Sequence, residues 1–267
     1  MTANLSFGIK NPMTKGIETF YTDLHSAMYD LGEIDQAPFP TALEFREFIK
    51  RYYPQGMMGM ACLDAGCGGT AVNTYSMAIA GSNSITAIDI NQKSLDIASV
   101  ALKKLGITRI SFQFASLLSL PFSESQFDFI VCSGVIHHTP NPEHALRELF
   151  RVAKPGATVY CSVYCFEKSW IFWAVQLWRF LSWLIPFQLM YSLFKGNVTI
   201  NNFVLDHMYV PILWVYREAD FRLLLEQTGF QIQDSFCSAM DSLVGRSFLG
   251  RSLSGDGLLR VFICKKP

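Results

Sequence analysis

The segment Leu63-Asp64-Ala65-Gly66-Cys67-Gly68-Gly69-Thr70 joins a short apolar run to a stretch of helical character. Glycines at such a junction let the backbone pass close to a ligand, and the helix that follows begins with N–H groups that lack intrahelical acceptors. Asp89 closes the next apolar run, 25 residues after Asp64. In a doubly wound sheet a carboxylate there can accept hydrogen bonds from ribose hydroxyls. Thr70-Ala71 stand where a dinucleotide fingerprint needs its third glycine, so the loop suits a nucleoside better. Tight turning and helix capping are the competing uses of these glycines and aspartates. Further along, His137 and His138 follow another apolar run. Imidazole titrates near neutral pH, so either could take a proton from an oxygen or nitrogen nucleophile, or simply hydrogen-bond locally.

These residues need a scaffold, and the sequence supplies alternating periods. Met60–Leu63, Ser84–Asp89, Ile110–Phe114, Phe127–Ser133 and Thr158–Tyr164 are short apolar or β-branched runs. Between them Ala71–Ala80, Gln92–Leu105 and Glu143–Val152 carry helical spacing. Strands alternating with helices predict a parallel sheet covered on both faces, an α/β fold. Residues 217–230 form one more amphipathic helix, and Phe230–Phe236 with Leu258–Cys264 read as a closing hairpin with a long connection. Ahead of the sheet, residues 1–16 read as a polar arm. Two amphipathic helices are expected at Ile17–Leu31 and Thr41–Tyr52.

Composition limits the partners. Of 267 residues, 22 are Lys or Arg and 22 Asp or Glu, so the chain has no positive excess to release counterions from a phosphate backbone; nucleic acid is not an expected partner. Seven cysteines, odd in number and never spaced CxxC, predict buried free thiols in a reducing compartment and no metal site. The segment MTANLSFGIKNPMTKG has neither the basic nor the apolar region of a secretory signal, so the cytoplasm is the expected location.

Four segments together resemble a known family: LDAGCGG (63–69), AIDIN (87–91), LPFSESQFDFIVCSGVIHHT (120–139) and LFRVAKPGATVYCSVY (149–164). They are similar to the successive motifs of class I S-adenosylmethionine-dependent methyltransferases, in the small-molecule branch that includes ubiquinone and menaquinone methyltransferases. The resemblance implies a Rossmann-like seven-stranded sheet in the order 3-2-1-4-5-7-6 with strand 7 antiparallel. It implies S-adenosylmethionine as cofactor, with Asp64, Gly66 and Gly68 beside its methionine part. Asp89 would take the ribose hydroxyls and Ile90 would lie against the adenine. Ser116 stands where many relatives have an Asp for the adenine amino group; Leu117 would add backbone contact, and Ser133 and Gly134 would flank the sulfonium. Tyr21 and Tyr29, eight residues apart on the first helix, would close over cofactor and substrate or merely pack there. No NPPY-like tetrad follows the fourth strand, where the sequence is SGVIHH, which disfavours a protein or RNA substrate.

The chain divides on this reading into an N-terminal helical lid (1–56), a methyltransferase core (57–164 and 217–267) and a helical substrate-lid insertion (165–216). Trp173, Asp206, His207 and Tyr209 of the insertion are candidates to meet a small, apolar or aromatic substrate. Within residues 169–194 Ser169, Gln176, Arg179 and Ser182 make one helical stripe in a mostly apolar, aromatic stretch, which Pro186 divides. That stretch is too short to span a bilayer. Three uses stay open: a lipophilic pocket wall, a homodimer interface, or a patch in contact with a membrane surface.

Overall fold

The computed structural model describes residues 7–10, 40–165, 169–182, 184–194, 205, 208–238 and 259–267. A seven-stranded sheet organises them, built from β2 (Ala61–Ala65), β3 (Ser84–Asp89), β4 (Ile110–Phe114), β5 (Phe127–Ser133), β6 (Ala153–Tyr164), β8 (Gln231–Cys237) and β9 (Leu259–Lys265). Their order is β4-β3-β2-β5-β6-β9-β8. The first five run parallel, and β9 pairs antiparallel with both β6 and β8. This is the expected 3-2-1-4-5-7-6 order with its antiparallel seventh strand.

Adjacent residues on the strands divide between two cores, as the two-residue strand period requires. Leu63, Ile130 and Phe262 belong to one cluster; Cys62, Phe129 and Ile263 belong to the other. On the first face lie α4 (Pro142–Val152) and α7 (Glu218–Thr228), which contribute Leu146, Leu149, Phe221 and Leu225. The start of α4 is set locally: Asn141 Oδ1 accepts the His144 N–H at 3.0 Å, and Pro142 occupies the first turn. The other face holds α1 (Pro40–Tyr52), α2 (Val72–Ile79) and α3 (Gln92–Lys104).

Two assignments change. The helix at 40–52, grouped by sequence with the lid, is core: Phe45, Phe48 and Ile49 are buried against Phe129 and Tyr160. Residues 7–10, expected within a polar arm, form β1 (Phe7–Lys10), which pairs antiparallel with β7 (Ile212–Val215) as a second, two-stranded sheet. A strand of four residues becomes visible only beside its partner, more than 200 positions away. The helix expected at 17–31 lies outside the described residues. The insertion contains α5 (Ser169–Ser182) and α6 (Phe187–Phe194). Among the described residues no helix is long and apolar enough to cross a membrane.

Candidate functional site

The carboxyl ends of β2, β3 and β5 lie side by side, and chain order reverses between β2 and β5. Ligands of doubly wound sheets sit at such a reversal. The loop after β2 folds over β3, since the Gly66 and Cys67 N–H groups both donate to the Ile88 carbonyl at 2.9 Å. Gly66 has φ +92°, and a Cβ added there would lie 2.4 Å from Val135 Cγ2 in the loop after β5. No other residue fits where these two loops touch. At Gly68 and Gly134, by contrast, an added Cβ would meet nothing within 4 Å.

Asp64 is 1% exposed. Its Oδ2 accepts from the Thr74 backbone N–H (2.9 Å) and hydroxyl (2.6 Å), tying β2 to the first turn of α2. This is the structural role that the sequence left open. Oδ1 of the same carboxylate is buried with no hydrogen-bond partner among the described residues. Burial raises the Asp64 pKa to about 7; the Thr74 bonds oppose the rise, and the charge of Asp89 adds to it. An orphaned buried oxygen is costly, and a ligand donor would relieve it.

Asp89 receives the Gly68 N–H on Oδ2 and the Asn91 N–H on Oδ1, each at 2.9 Å. Desolvation holds its pKa above the ordinary carboxylate value despite these bonds. Each carboxylate oxygen has further acceptor capacity for a hydroxyl. Asn91, which the sequence reading did not single out, caps α3 through Oδ1 while its buried Nδ2 has no partner among the described residues. Ile90 follows Asp89, half-buried. The orphaned Asp64 oxygen, the spare acceptors of Asp89 and the open space at the two glycines fit a nucleoside carrying a polar, amine-bearing tail.

Ser116 is engaged locally: its Oγ accepts the Leu118 N–H at 3.2 Å. The Leu117 side chain is buried in the core. At the end of β5, Ser133 Oγ lies 2.9 Å from Ser162 Oγ, which also accepts the Gly134 N–H at 3.0 Å. Ser162 thereby fixes the loop that carries the histidines. His137 and His138 form a short helical turn, both buried, with ring centroids 4.1 Å apart. The Tyr164 ring packs 4.3 Å from that of His137. His138 Nδ1 lies 3.0 Å from the Ile212 carbonyl oxygen. A carbonyl only accepts, so Nδ1 carries the proton and the neutral ring has its lone pair on Nε2, the tautomer a general base needs.

The insertion residues divide differently. Tyr209 is buried, and its hydroxyl lies 2.8 Å from the Ile185 carbonyl and 3.2 Å from that of Ser182. Its pKa rises to about 12 through desolvation. Tyr209, expected at the substrate, braces the end of α5. Trp173, expected at the substrate, is 64% exposed. Tyr21, Tyr29, Asp206 and His207 lie outside the described residues. Among the described residues no group of His, Cys, Asp or Glu could hold a metal ion.

Residues 63–161 match the model of a family described as a methyltransferase domain. The chain is similar to the ubiquinone biosynthesis O-methyltransferase of Azoarcus sp. strain BH72, 32% identical over 108 residues, which are 40% of this chain and 45% of that protein. It is similar to the demethylmenaquinone methyltransferase of Lactococcus lactis, 31% identical over 106 residues, 39% of this chain and 42% of that one. These matches span less than half the length of either relative. The fold extends further: a SAM-dependent methyltransferase from Aquifex aeolicus superposes with a TM-score of 0.56 at 17% identity, over 90% of this chain and 98% of that one.

Proposed function

The chain carries a methyltransferase domain of the class I S-adenosylmethionine-dependent fold, and from that premise we propose that it methylates oxygen, nitrogen or carbon of a small apolar or aromatic molecule. The observation that carries this reading is the pair of strand-end carboxylates: Asp89 holds acceptors for ribose hydroxyls, and Asp64 points an orphaned oxygen from the neighbouring strand. Asp89 and Ile90 would hold the nucleoside, and Ser116 and Leu117 would border its base. Asp64 and the Gly66–Gly68 loop would take the amino-acid tail, beside Ser133 and Gly134. Bound there, S-adenosylmethionine supplies an electrophilic methyl group.

What the protein adds is alignment and proton handling. His138, its tautomer set by the Ile212 carbonyl, is the candidate to accept a proton from an oxygen or nitrogen nucleophile. His137, wedged between His138 and Tyr164, holds that ring in place. The quinone methyltransferases among its relatives support an aromatic, lipophilic substrate. All seven cysteines are free thiols, which supports a reducing compartment, the cytoplasm. Titration calorimetry with S-adenosylhomocysteine tests the reading. Saturable binding that weakens in Asp89→Ala is expected, and absence of heat with the parent protein would mark the domain as a non-catalytic scaffold.

A further inference from the structure

Helix α5 is inside out relative to an ordinary surface helix. Gln176, Arg179 and Ser182, three apart and therefore on one stripe, are its buried side chains among those described, at 9%, 1% and 2% exposure. Arg179 Nη2 donates to the Val210 carbonyl at 3.2 Å, and the Tyr209 hydroxyl bonds carbonyls at the end of the helix. Through Arg179 this buried stripe is bonded to the rest of the protein. Trp173, Leu177, Phe180 and Leu181 face water on the opposite arc, with Trp178 at its margin and Leu184 just beyond. In α6 Met190 is buried while Leu189 and Leu193 are exposed. Eight of the sixteen exposed large apolar side chains of the described residues fall between 173 and 193, and exposed apolar side chains gathered in this way mark an interaction surface.

Charge selects the occupant. From 169 to 194 the sequence contains a single ionisable charge, Arg179, and that residue is turned inward. The outward side of the whole stretch is therefore uncharged. A second copy of the chain would need the hydrogen bonds and polar rim of a protein interface. Among the described residues this face offers few such groups, and the exposed Ser192 hydroxyl is already donated to the Leu189 carbonyl at 2.7 Å. A bilayer asks for less: apolar side chains that enter the acyl boundary and indoles that settle at headgroup depth. We infer that α5 and α6 form a face that docks on a lipid bilayer, lying in its interface without crossing it. The same helix is bonded to residues 209–210, and β7, which follows at once, supplies the Ile212 carbonyl that His138 meets. Docking on lipid therefore sets the histidine end of the site beside the membrane. On the methyl-transfer reading, this admits a substrate dissolved in the bilayer.

Because apolar area rather than basic charge drives it, binding is expected to depend little on anionic lipid or salt, unlike that of a basic amphipathic helix. Sedimentation with phosphatidylcholine vesicles, with and without phosphatidylglycerol, reads this directly. The protein should pellet with both. Leu177→Glu/Leu181→Glu, in exposed positions away from the site, should partition at least about tenfold less while binding S-adenosylhomocysteine as before. Vesicle binding that persists in this variant would overturn the assignment. So would a parent protein that ignores both vesicle types, and dimerisation in light scattering that the substitutions abolish would then give the face to a second copy. Loss of S-adenosylhomocysteine binding in the parent would instead strike the methyl-transfer reading and leave the docking result standing.

Discussion

Asp89 and His138 do separable work, and substitution should separate them. Asp89→Ala removes the acceptor for two hydroxyls and also frees the Gly68 and Asn91 N–H groups, so affinity for S-adenosylhomocysteine should fall by about 1–3 kcal/mol in calorimetry. His138→Gln can keep a hydrogen bond to the Ile212 carbonyl but loses the basic nitrogen. Turnover should drop by about 10²–10⁴-fold, with cofactor-product affinity unchanged. Asp64, Asp89 and the glycines were legible in the sequence because strand-end placement and spacing announce them. Thr74 and Ser162 were not: one holds Asp64 and the other holds the histidine loop, and such roles follow from tertiary neighbours rather than residue type. Tyr164, an aromatic closing a β-branched run, looks in sequence like any core residue.

Among the elements, α5 shows what periodicity leaves undecided. The stripe of Gln176, Arg179 and Ser182 was visible in the sequence, but a stripe does not say which side of it faces the protein. The ordinary rule puts the polar side outward, and here the Val210 carbonyl, which accepts from Arg179, and the Tyr209 hydroxyl, which donates to the Ser182 carbonyl, hold it inward. Arg179 thus acts as the pin of the insertion. Arg179→Ala leaves the Val210 carbonyl short of a donor and a buried void behind it, at about 2 kcal/mol or more. Amide exchange in α5 should accelerate about tenfold or more, while β2, β3 and β5 exchange as before. The sheet was easier to read. Its central strands are buried on both faces and helices punctuate them at regular intervals, so pattern alone predicted a parallel α/β sheet, while the strand order and the antiparallel last strand came from the family resemblance. The pairing of β1 with β7 depends on a contact across most of the chain and left no local signal.

For the molecule as a whole, the carboxylate of Asp64 makes stability depend on pH. Its pKa is about 7 in the fold against an ordinary 3.8. Between those values the native state holds a proton that the unfolded chain has released, so stability falls as pH rises from about 4 to 7 and levels off above. The full effect is on the order of 4 kcal/mol. Asp64→Asn should lose this dependence, so denaturant unfolding at about pH 5 and pH 8 should show the variant gaining on the parent at the higher pH. The thiols give a second global readout. Six of the seven cysteines are buried and only Cys237 is partly exposed. Burial also pushes the Cys62 thiol up to about 11 and those of Cys67 and Cys132 upward as well. A thiol reagent should therefore label about one group in the native protein and all seven in denaturant. The place of β9 has its own consequence, which concerns synthesis. Residues 259–265 form an interior strand between β6 and β8, not an edge. A ribosome that has translated everything before them carries a nascent chain with the long edge of β6 open and β8 without its neighbour. Until those seven residues leave the exit tunnel the half-made sheet is a template for aggregation, and a stop codon at 258 would remove the strand that joins two parts of the sheet.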